Sequence, residues 1–411
     1  MKTIPFAAIL VCTCILFSCQ NRTDKNIAES QILAFAENPL AGKIISKPEE
    51  IVIDLKNNRE QLLDEFIDSL SFIKLETRDD NLIGVISQIV FADSLIFIVD
   101  NTKARAIFVF DRQGRFKNKI GNIGNGPGEY VSIKNIAIVP DKNQIAVFDG
   151  QKETVLYYHY SGEYIHSERN QFGVNYLEFL SSGYKVFDVS GMSLGNAVLN
   201  EYRDSTLIVT NTDNEIMYGA CRDFYKEGKF NYVMHPALKR FGDEIYYSPN
   251  FSNMIYRVGD SCLTALYHID IKGGMPPLND NITSEIFSEY TKRYAYFNGI
   301  MIELKDYTYI NLFGTQNPGT FVIYSHAKKR VVYYSKSESN NPAFIFFALG
   351  TPKARYQDNT IVVDIPAYTV NAWKAELYRN VNNREVLDKL YEGLDEDDNH
   401  VLFFYQLKND L

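Results

Sequence analysis

The chain has 411 residues, of which 45% are hydrophobic, 23% charged and 14% aromatic, enough apolar sequence for one large folded unit and too much for disorder throughout. It holds 28 Tyr and 27 Phe against a single Trp, a composition that favours strands. The net charge of −9 supplies no basic footprint, which argues against nucleic acid as a partner.

Met1 and Lys2 precede a predominantly apolar run from Ile4 to Phe17. It is too short to span a bilayer and suits the core of a signal peptide. The run closes on Leu16-Phe17-Ser18-Cys19, which resembles a bacterial lipobox. That resemblance implies a lipoprotein signal peptide over residues 1–18 and lipidation of Cys19, with the membrane as a partner through that lipid. Residues 19–48 show no sustained periodicity and read as a tether. Processing removes Lys2 and leaves the remainder at −10, which offers no polybasic second attachment. Which membrane face the protein hangs from is open: periplasmic face or outer surface. Of the five Cys, Cys12 and Cys14 leave with the signal peptide; Cys221 and Cys262 are either two free thiols or a pair formed in an oxidising compartment.

Residues 49–411 read as one folded domain. Two early strands, 51–55 and 72–77, precede a repeating region that begins near Ile86. Residues 89–93 match 136–140, 95–100 match 144–149, and 108–116 match 157–164. The turn glycines Gly114 and Gly162 lie 48 residues apart. Each unit reads as four short strands, the pattern of a β-propeller blade. Later copies are looser: 185–188 with 206–209; 244–250 with 254–258; 309–313 with 321–324 and 330–334; and 344–347 with 360–364. The span 86–380 holds about six such units. The predicted fold is therefore all-β, a six-bladed propeller of four-stranded antiparallel blades. Helical spacing of Ile286, Phe287, Tyr290 and Tyr294 adds an inserted helix over 282–296, and Val386, Leu387, Leu390 and Leu394 add a C-terminal helix over 372–394. A last strand covers 401–405. Strands from both termini are expected to close the ring, because unpaired blade edges invite aggregation.

Residues 99–111, Gly114-Arg115-Phe116 and the run Ile120-Gly121-Asn122-Ile123-Gly124-Asn125-Gly126-Pro127-Gly128-Glu129-Tyr130 resemble an NHL-type propeller repeat. With the early strand 72–77, the Gly-Pro-Gly-Glu-Tyr turn and the C-terminal strand, the chain resembles the uncharacterised six-bladed propeller lipoproteins of gut-type Gram-negative bacteria. The resemblance implies the fold and no established activity.

The glycine-rich run must carry the chain from one blade to the next, and its glycines permit positive φ and close backbone approach. It reads as a structural crossover; the alternative is an anion-binding nest of successive amides. Glu129 and Tyr130 are expected at the channel mouth and, with Arg105, are the candidate binding residues; Arg105 is also placed to brace Asp100. Asp100 and Asp149 end matching strands and read as turn caps.

No catalytic residue is assigned. Gly191-Met192-Ser193-Leu194-Gly195 matches a nucleophile elbow but lacks its strand–turn–helix context. His159, His166, His235, His268, His326 and His400 form no metal-ligand pattern, Asp395–Asp398 lack calcium-loop spacing, and neither a phosphate loop nor a dinucleotide fingerprint is present, so no metal or cofactor is expected. The favoured function is a lipid-anchored cell-envelope module that binds or scaffolds a protein, peptide or glycan. A channel-centred hydrolase or lyase of the lactonase-like propeller type is the alternative, and a part in an envelope assembly or sensory system is a third reading. A ring of inward carboxylates, amides or His at metal-ligand distance would favour the enzyme; an apolar plug would favour the binder.

Overall fold

The computed structural model describes residues 43–56, 61–192, 199, 202, 205–222, 236–250, 252–276, 283–314, 320–335, 339–380 and 384–411. The signal segment, Cys19, most of the tether, Ser193 and His235 lie outside the described residues.

Six four-stranded antiparallel blades form the ring. Blade 1 holds Gln88–Ala92, Leu95–Asp100, Ala106–Asp111 and Phe116–Lys119, and blade 2 holds Asn135–Val139, Gln144–Asp149, Thr154–His159 and Tyr164–Arg169. Blade 3 is built from Tyr176–Phe179, Lys185–Asp188, Ser205–Thr210 and Ile216–Arg222, and blade 4 from Leu238–Phe241, Glu244–Tyr247, Met254–Val258 and Cys262–Ile271. Tyr296–Glu303, Tyr307–Phe313, Thr320–Ser325 and Arg330–Ser335 make blade 5. Blade 6 takes Pro352–Tyr356, Thr360–Ile365 and Val401–Leu407 from the end of the chain and Ile67–Lys74 from its beginning. Phe72 pairs with Phe403 and Lys74 with Val401, so the last blade is completed by both ends of the chain, as ring closure requires.

The middle strands are apolar on both faces because each blade is sandwiched between two others. In blade 1, Phe97, Val99, Ile107 and Val109 pack with Ile145, Val147 and Leu156 of blade 2. The alternate residues Ile96, Ile98, Phe108 and Phe110 pack with Val362, Leu402 and Phe404 of blade 6. A sheet covered on both sides loses the polar–apolar alternation of a half-exposed strand, which is why these segments read as continuous hydrophobic runs.

Three expectations are corrected. Residues 51–55 do not close the ring. Glu49–Ile53 instead adds a parallel strand to the open edge of blade 4, pairing Glu49 with Tyr267 and Ile53 with Ile271, and buries Ile51 and Ile53 while Val52 faces out. Residues 344–347 are not a strand. Pro342 opens a 3-10 turn whose Asn341 side chain accepts from Ala343 N, and the chain continues as a helix over Ile345–Leu349. Its Phe346 stacks on Phe403, with ring centroids 4.6 Å apart. The C-terminal helix is three short ones, Ala367–Ala372, Lys374–Asn380 and Glu385–Tyr391, inserted between the second and third strands of blade 6. Leu387, Leu390 and Leu394 are buried as their spacing requires, but Val386 is exposed. The inserted helix forms over Ser284–Arg293, capped by the Thr283 side chain.

Candidate functional site

Antiparallel blades put the crossovers between blades and the loops between second and third strands at one end of the ring. Buried carboxylates tie the two kinds of segment together. Asp100 accepts from Thr102 N and Lys103 N in its own loop, at 3.1 and 2.8 Å, and from Gly84 N and Val85 N of the incoming crossover, at 2.8 and 3.0 Å. Burial alone would raise its pKa; bonds from the backbone N–H groups of Ala104, Val85, Lys103 and Gly84 outweigh burial and hold the carboxyl below its ordinary range. Asp149 repeats the arrangement with Val131 N at 2.6 Å, Ser132 N at 3.2 Å, Gln151 N at 3.0 Å and Lys152 N at 3.1 Å. In blade 6, Asp364 meets His400 Nδ1 at 2.9 Å and Lys353 Nζ at 3.6 Å. The acidic turn 395–398 leads into Asn399, whose side chain accepts from Ile83 N and donates to Glu76 O and Asn81 O, tying this loop to the crossover into blade 1.

The glycine-rich crossover is held from within. Tyr130 is 1% exposed, and its hydroxyl donates to Ile120 O at 3.1 Å. Burial pushes its phenol up to about 12. Gly121 has φ +60, and a Cβ there would meet the Tyr130 ring and the Tyr158 hydroxyl at 2.8 Å. The Glu129 carboxylate folds back to accept from Gly126 N at 2.8 Å, so the chain's own carboxylate takes up the amide that a nest would offer an anion. Lys152 Nζ donates to Gly124 O and Glu129 O. Arg105 braces the next crossover, donating from Nη2 to Val131 O at 2.8 Å, rather than Asp100. Tyr130 is therefore a core residue and not an exposed binding side chain, whereas Glu129 is partly exposed and braces the crossover, and Arg105 is exposed and clamps two blades together.

Around the axis, polar side chains near the innermost strands bridge all six seams. Gln88 exchanges two hydrogen bonds with the backbone of Ile136, at 2.9 and 3.0 Å. Asn135 does the same with Leu177, at 2.7 and 3.1 Å. Arg240 of blade 4 meets Glu178 of blade 3 at 3.2 Å and also donates to Phe179 O. Lys239 Nζ donates to Gly299 O of blade 5. Arg355 reaches Glu303 O at 3.4 Å, and Lys353 reaches Ile86 O at 2.7 Å. Burial raises the Glu178 carboxyl and lowers the Lys239 ammonium to about 7. Polar side chains thus occupy these seams, and among the described residues no group of three or more His, Cys, Asp or Glu is arranged to hold a metal ion. Sequence reading missed this ring, although its signal was present: a polar residue inside an otherwise apolar first strand, as at Gln88 and Asn135, 47 residues apart.

A second titratable cluster lies at the opposite end, between blades 4 and 5. Buried Glu303 accepts from Thr308 Oγ1 at 2.6 Å and Tyr267 OH at 3.1 Å, with His326 Nε2 at 3.4 Å. Burial raises Glu303 to about 7 and holds His326 below its ordinary value. Cys221 and Cys262 are both free.

Residues 50–406 match the family described as "Domain of unknown function (DUF4934)". The chain belongs to the DUF4934 family. No curated protein matches it. A crystal structure of a "Putative exported protein" from Bacteroides fragilis NCTC 9343 is similar to this DUF4934 chain at 21% identity, covering 88% of this chain and 100% of that one with a TM-score of 0.72. A member of the DUF4221 family from Bacteroides vulgatus is similar at 10% identity over 83% and 97% of the two chains, with a TM-score of 0.50. Both likenesses concern the fold. Among the described residues no helix is long and apolar enough to cross a membrane.

Proposed function

We propose that this DUF4934 protein is a lipid-anchored propeller of the cell envelope, with NHL-like first blades, that binds or scaffolds a protein, peptide or glycan through its crossover end. One observation carries the reading. Of eleven large apolar side chains that are exposed among the described residues, eight belong to crossovers or to the loops between second and third strands: Leu82, Val85, Ile123, Met192, Ile286, Leu349, Tyr368 and Val386. Such residues scattered over a surface need no explanation, but their gathering at one end of a ring marks an interaction face. The buried aspartates make that end a rigid platform, so binding there loses little ordering entropy.

The test is a peptide and glycan array probed with the purified protein and with a Leu82→Ser, Tyr368→Ala double variant. Tyr368 is 64% and Leu82 54% exposed, so the variant should melt with the parent while losing capture. Capture unaffected by the double change would move the working face elsewhere. For the anchor, Cys19→Ala should shift the protein from the membrane to the soluble fraction, and continued membrane association would overturn lipidation at that residue.

A further inference from the structure

The crossover into blade 1 and the loop before the third strand of blade 6 each carry an acidic turn, and the fold sets the two turns together. In the crossover, Asn81 N donates to Arg78 O at 3.1 Å and Asn81 Oδ1 accepts from Arg78 N at 2.7 Å, closing a turn around Asp79 and Asp80. In the loop, Asp398 Oδ2 accepts from Asp395 N at 2.8 Å and closes a second turn over Glu396 and Asp397. Asn399 joins them: its Nδ2 donates to Asn81 O at 3.1 Å, across 318 residues of sequence, and both asparagines are buried. Asp79, Asp80, Asp395, Glu396 and Asp397 are all exposed, and among the described residues none of the five makes an ion pair. The cations nearby are engaged elsewhere. Arg78 pairs with Glu76 at 2.8 Å, Lys389 with Glu385 at 2.8 Å, and Lys74 Nζ donates to Lys389 O and Glu392 O. Lys103, packed against Gly84, opposes these carboxylates with one charge. Like charges gathered this way repel one another and weaken the fold.

Apolar exposure on the same segments is a second and independent feature. Ile83 N donates to Asn399 Oδ1 at 2.8 Å, and Gly84 N and Val85 N donate to Asp100. With the backbone fixed in this way, Ile83 and Ile86 turn inward while Leu82 and Val85 are held out to solvent. On the helix Ala367–Ala372, exposed Tyr368 lies one turn from Asn371, whose Nδ2 reaches Leu394 O at 3.5 Å, next to the acidic turn. Rigid apolar side chains thus border unneutralised carboxylates on both segments.

We propose that this part of the crossover end docks a basic segment of another protein, one that carries Lys or Arg around an aliphatic or aromatic anchor. Leu82, Val85 and Tyr368 receive the anchor, and the two acidic turns receive the cations. Charge complementarity selects this occupant over others. A second copy of the chain brings a net charge of −9 and is repelled. Anionic lipid headgroups are repelled for the same reason. A neutral glycan leaves the carboxylates unmatched. The inference rests on the docking reading above and narrows its partner to one class.

The experiment is fluorescence anisotropy with the labelled peptide Lys-Leu-Lys-Lys-Phe-Lys-Lys-Leu-Lys, titrated with the purified protein at low and high salt. One comparison peptide has Glu in place of every Lys, and another has Ser in place of Leu and Phe. The basic amphipathic peptide should bind saturably and weaken as salt rises. The Glu peptide should not bind, and the Ser peptide should bind roughly tenfold more weakly or worse. A variant combining Asp79→Asn, Asp80→Asn, Asp395→Asn, Glu396→Gln and Asp397→Asn keeps the bonds that close both turns, so it should melt with the parent. Its affinity for the basic peptide should fall roughly tenfold or more, with a flatter salt dependence. No saturable binding of the basic peptide, equal binding of the Glu peptide, or undiminished binding in the five-carboxylate variant would overturn the proposal. Displacement of the peptide by micromolar calcium chloride would also overturn it, since the turns would then be an ion site. Glycan capture on the array without binding of the basic peptide would overturn this inference and leave the docking reading standing. Undiminished peptide binding in the Leu82→Ser, Tyr368→Ala variant would overturn the docking reading, and this one with it.

Discussion

Replacing Tyr130 with alanine should destabilise the whole propeller by about 3–5 kcal/mol, the usual cost of deleting a buried aromatic side chain. The structure gives three reasons for the upper part of that range. The side chain is 1% exposed, so the full transfer term is lost. It packs with Tyr158 and Ile133 in the seam between blades 1 and 2, where Gly121 must keep φ +60, so the gap cannot close by a simple local shift. Its hydroxyl is the partner of Ile120 O, which would be left buried. Tyr130→Phe isolates that last contribution and should cost about 1 kcal/mol. Tyr368→Ala, at 64% exposure, should stay within about 0.5 kcal/mol. Urea unfolding of the three variants, followed by tyrosine fluorescence and far-ultraviolet circular dichroism, measures all of this on one scale. If Tyr130→Ala unfolds with the parent while array capture disappears, the glycine-rich turn is the recognition surface and its assignment to the core is wrong.

Gly121→Ala should cost roughly 1–3 kcal/mol through its left-handed backbone and its contact with Tyr130 and Tyr158. Gly126→Ala should cost less in the same melt, because its Cβ meets only the movable Glu129 carboxylate at 3.1 Å. Burial lifts the Glu303 carboxyl from 4.5 to about 7. Between those values the folded chain holds a proton that the unfolded chain releases, so stability falls as pH rises through this window. Glu303→Gln should flatten that decline in denaturant titrations from pH 4.5 to 8, and parallel profiles for the two proteins would show that Glu303 does not titrate there. Truncation after Glu392 removes Val401–Leu407 and leaves Ile67–Lys74 without its partner, so the product should be insoluble or lack a cooperative melt; a soluble product with the parent's melting curve would refute ring closure by these strands.

The blades were legible because a strand buried on both faces writes an uninterrupted apolar run, as at 95–100 and 144–149, and because tight turns at Gly114 and Gly162 mark its period. Ring closure was legible in part, since 72–77 and 401–405 stood outside the repeats with no other partners in view. Residues 51–55 were equally strand-like, and nothing in their pattern distinguishes a closing strand from one laid along the open edge of blade 4. The aromatic run 344–347 looked like a strand because β-propensity outweighed the Asn341-Pro342 helix start beside it. Tyr130 was misplaced for a different reason. Its position beside a turn and its polar hydroxyl suggest exposure, whereas the carbonyl that satisfies the hydroxyl, Ile120 O, lies ten residues away and comes near only once the crossover has folded.

Asp100 and Asp149 were legible as turn caps because they stand 49 residues apart and end matching strands. Asp364 also follows the last residue of its second strand paired with the first, but it is not their counterpart. Ile98 packs toward blade 6 and Val147 toward blade 1, so Asp100 and Asp149, two residues on, leave the face toward the preceding blade. Val362 packs toward blade 1, so Asp364 leaves the face toward the following blade, where it meets Lys353 and His400. Spacing along the chain finds a repeated residue type; the face it leaves is known only once the strands are paired, because a slip of one position turns the side chain to the other side of the sheet.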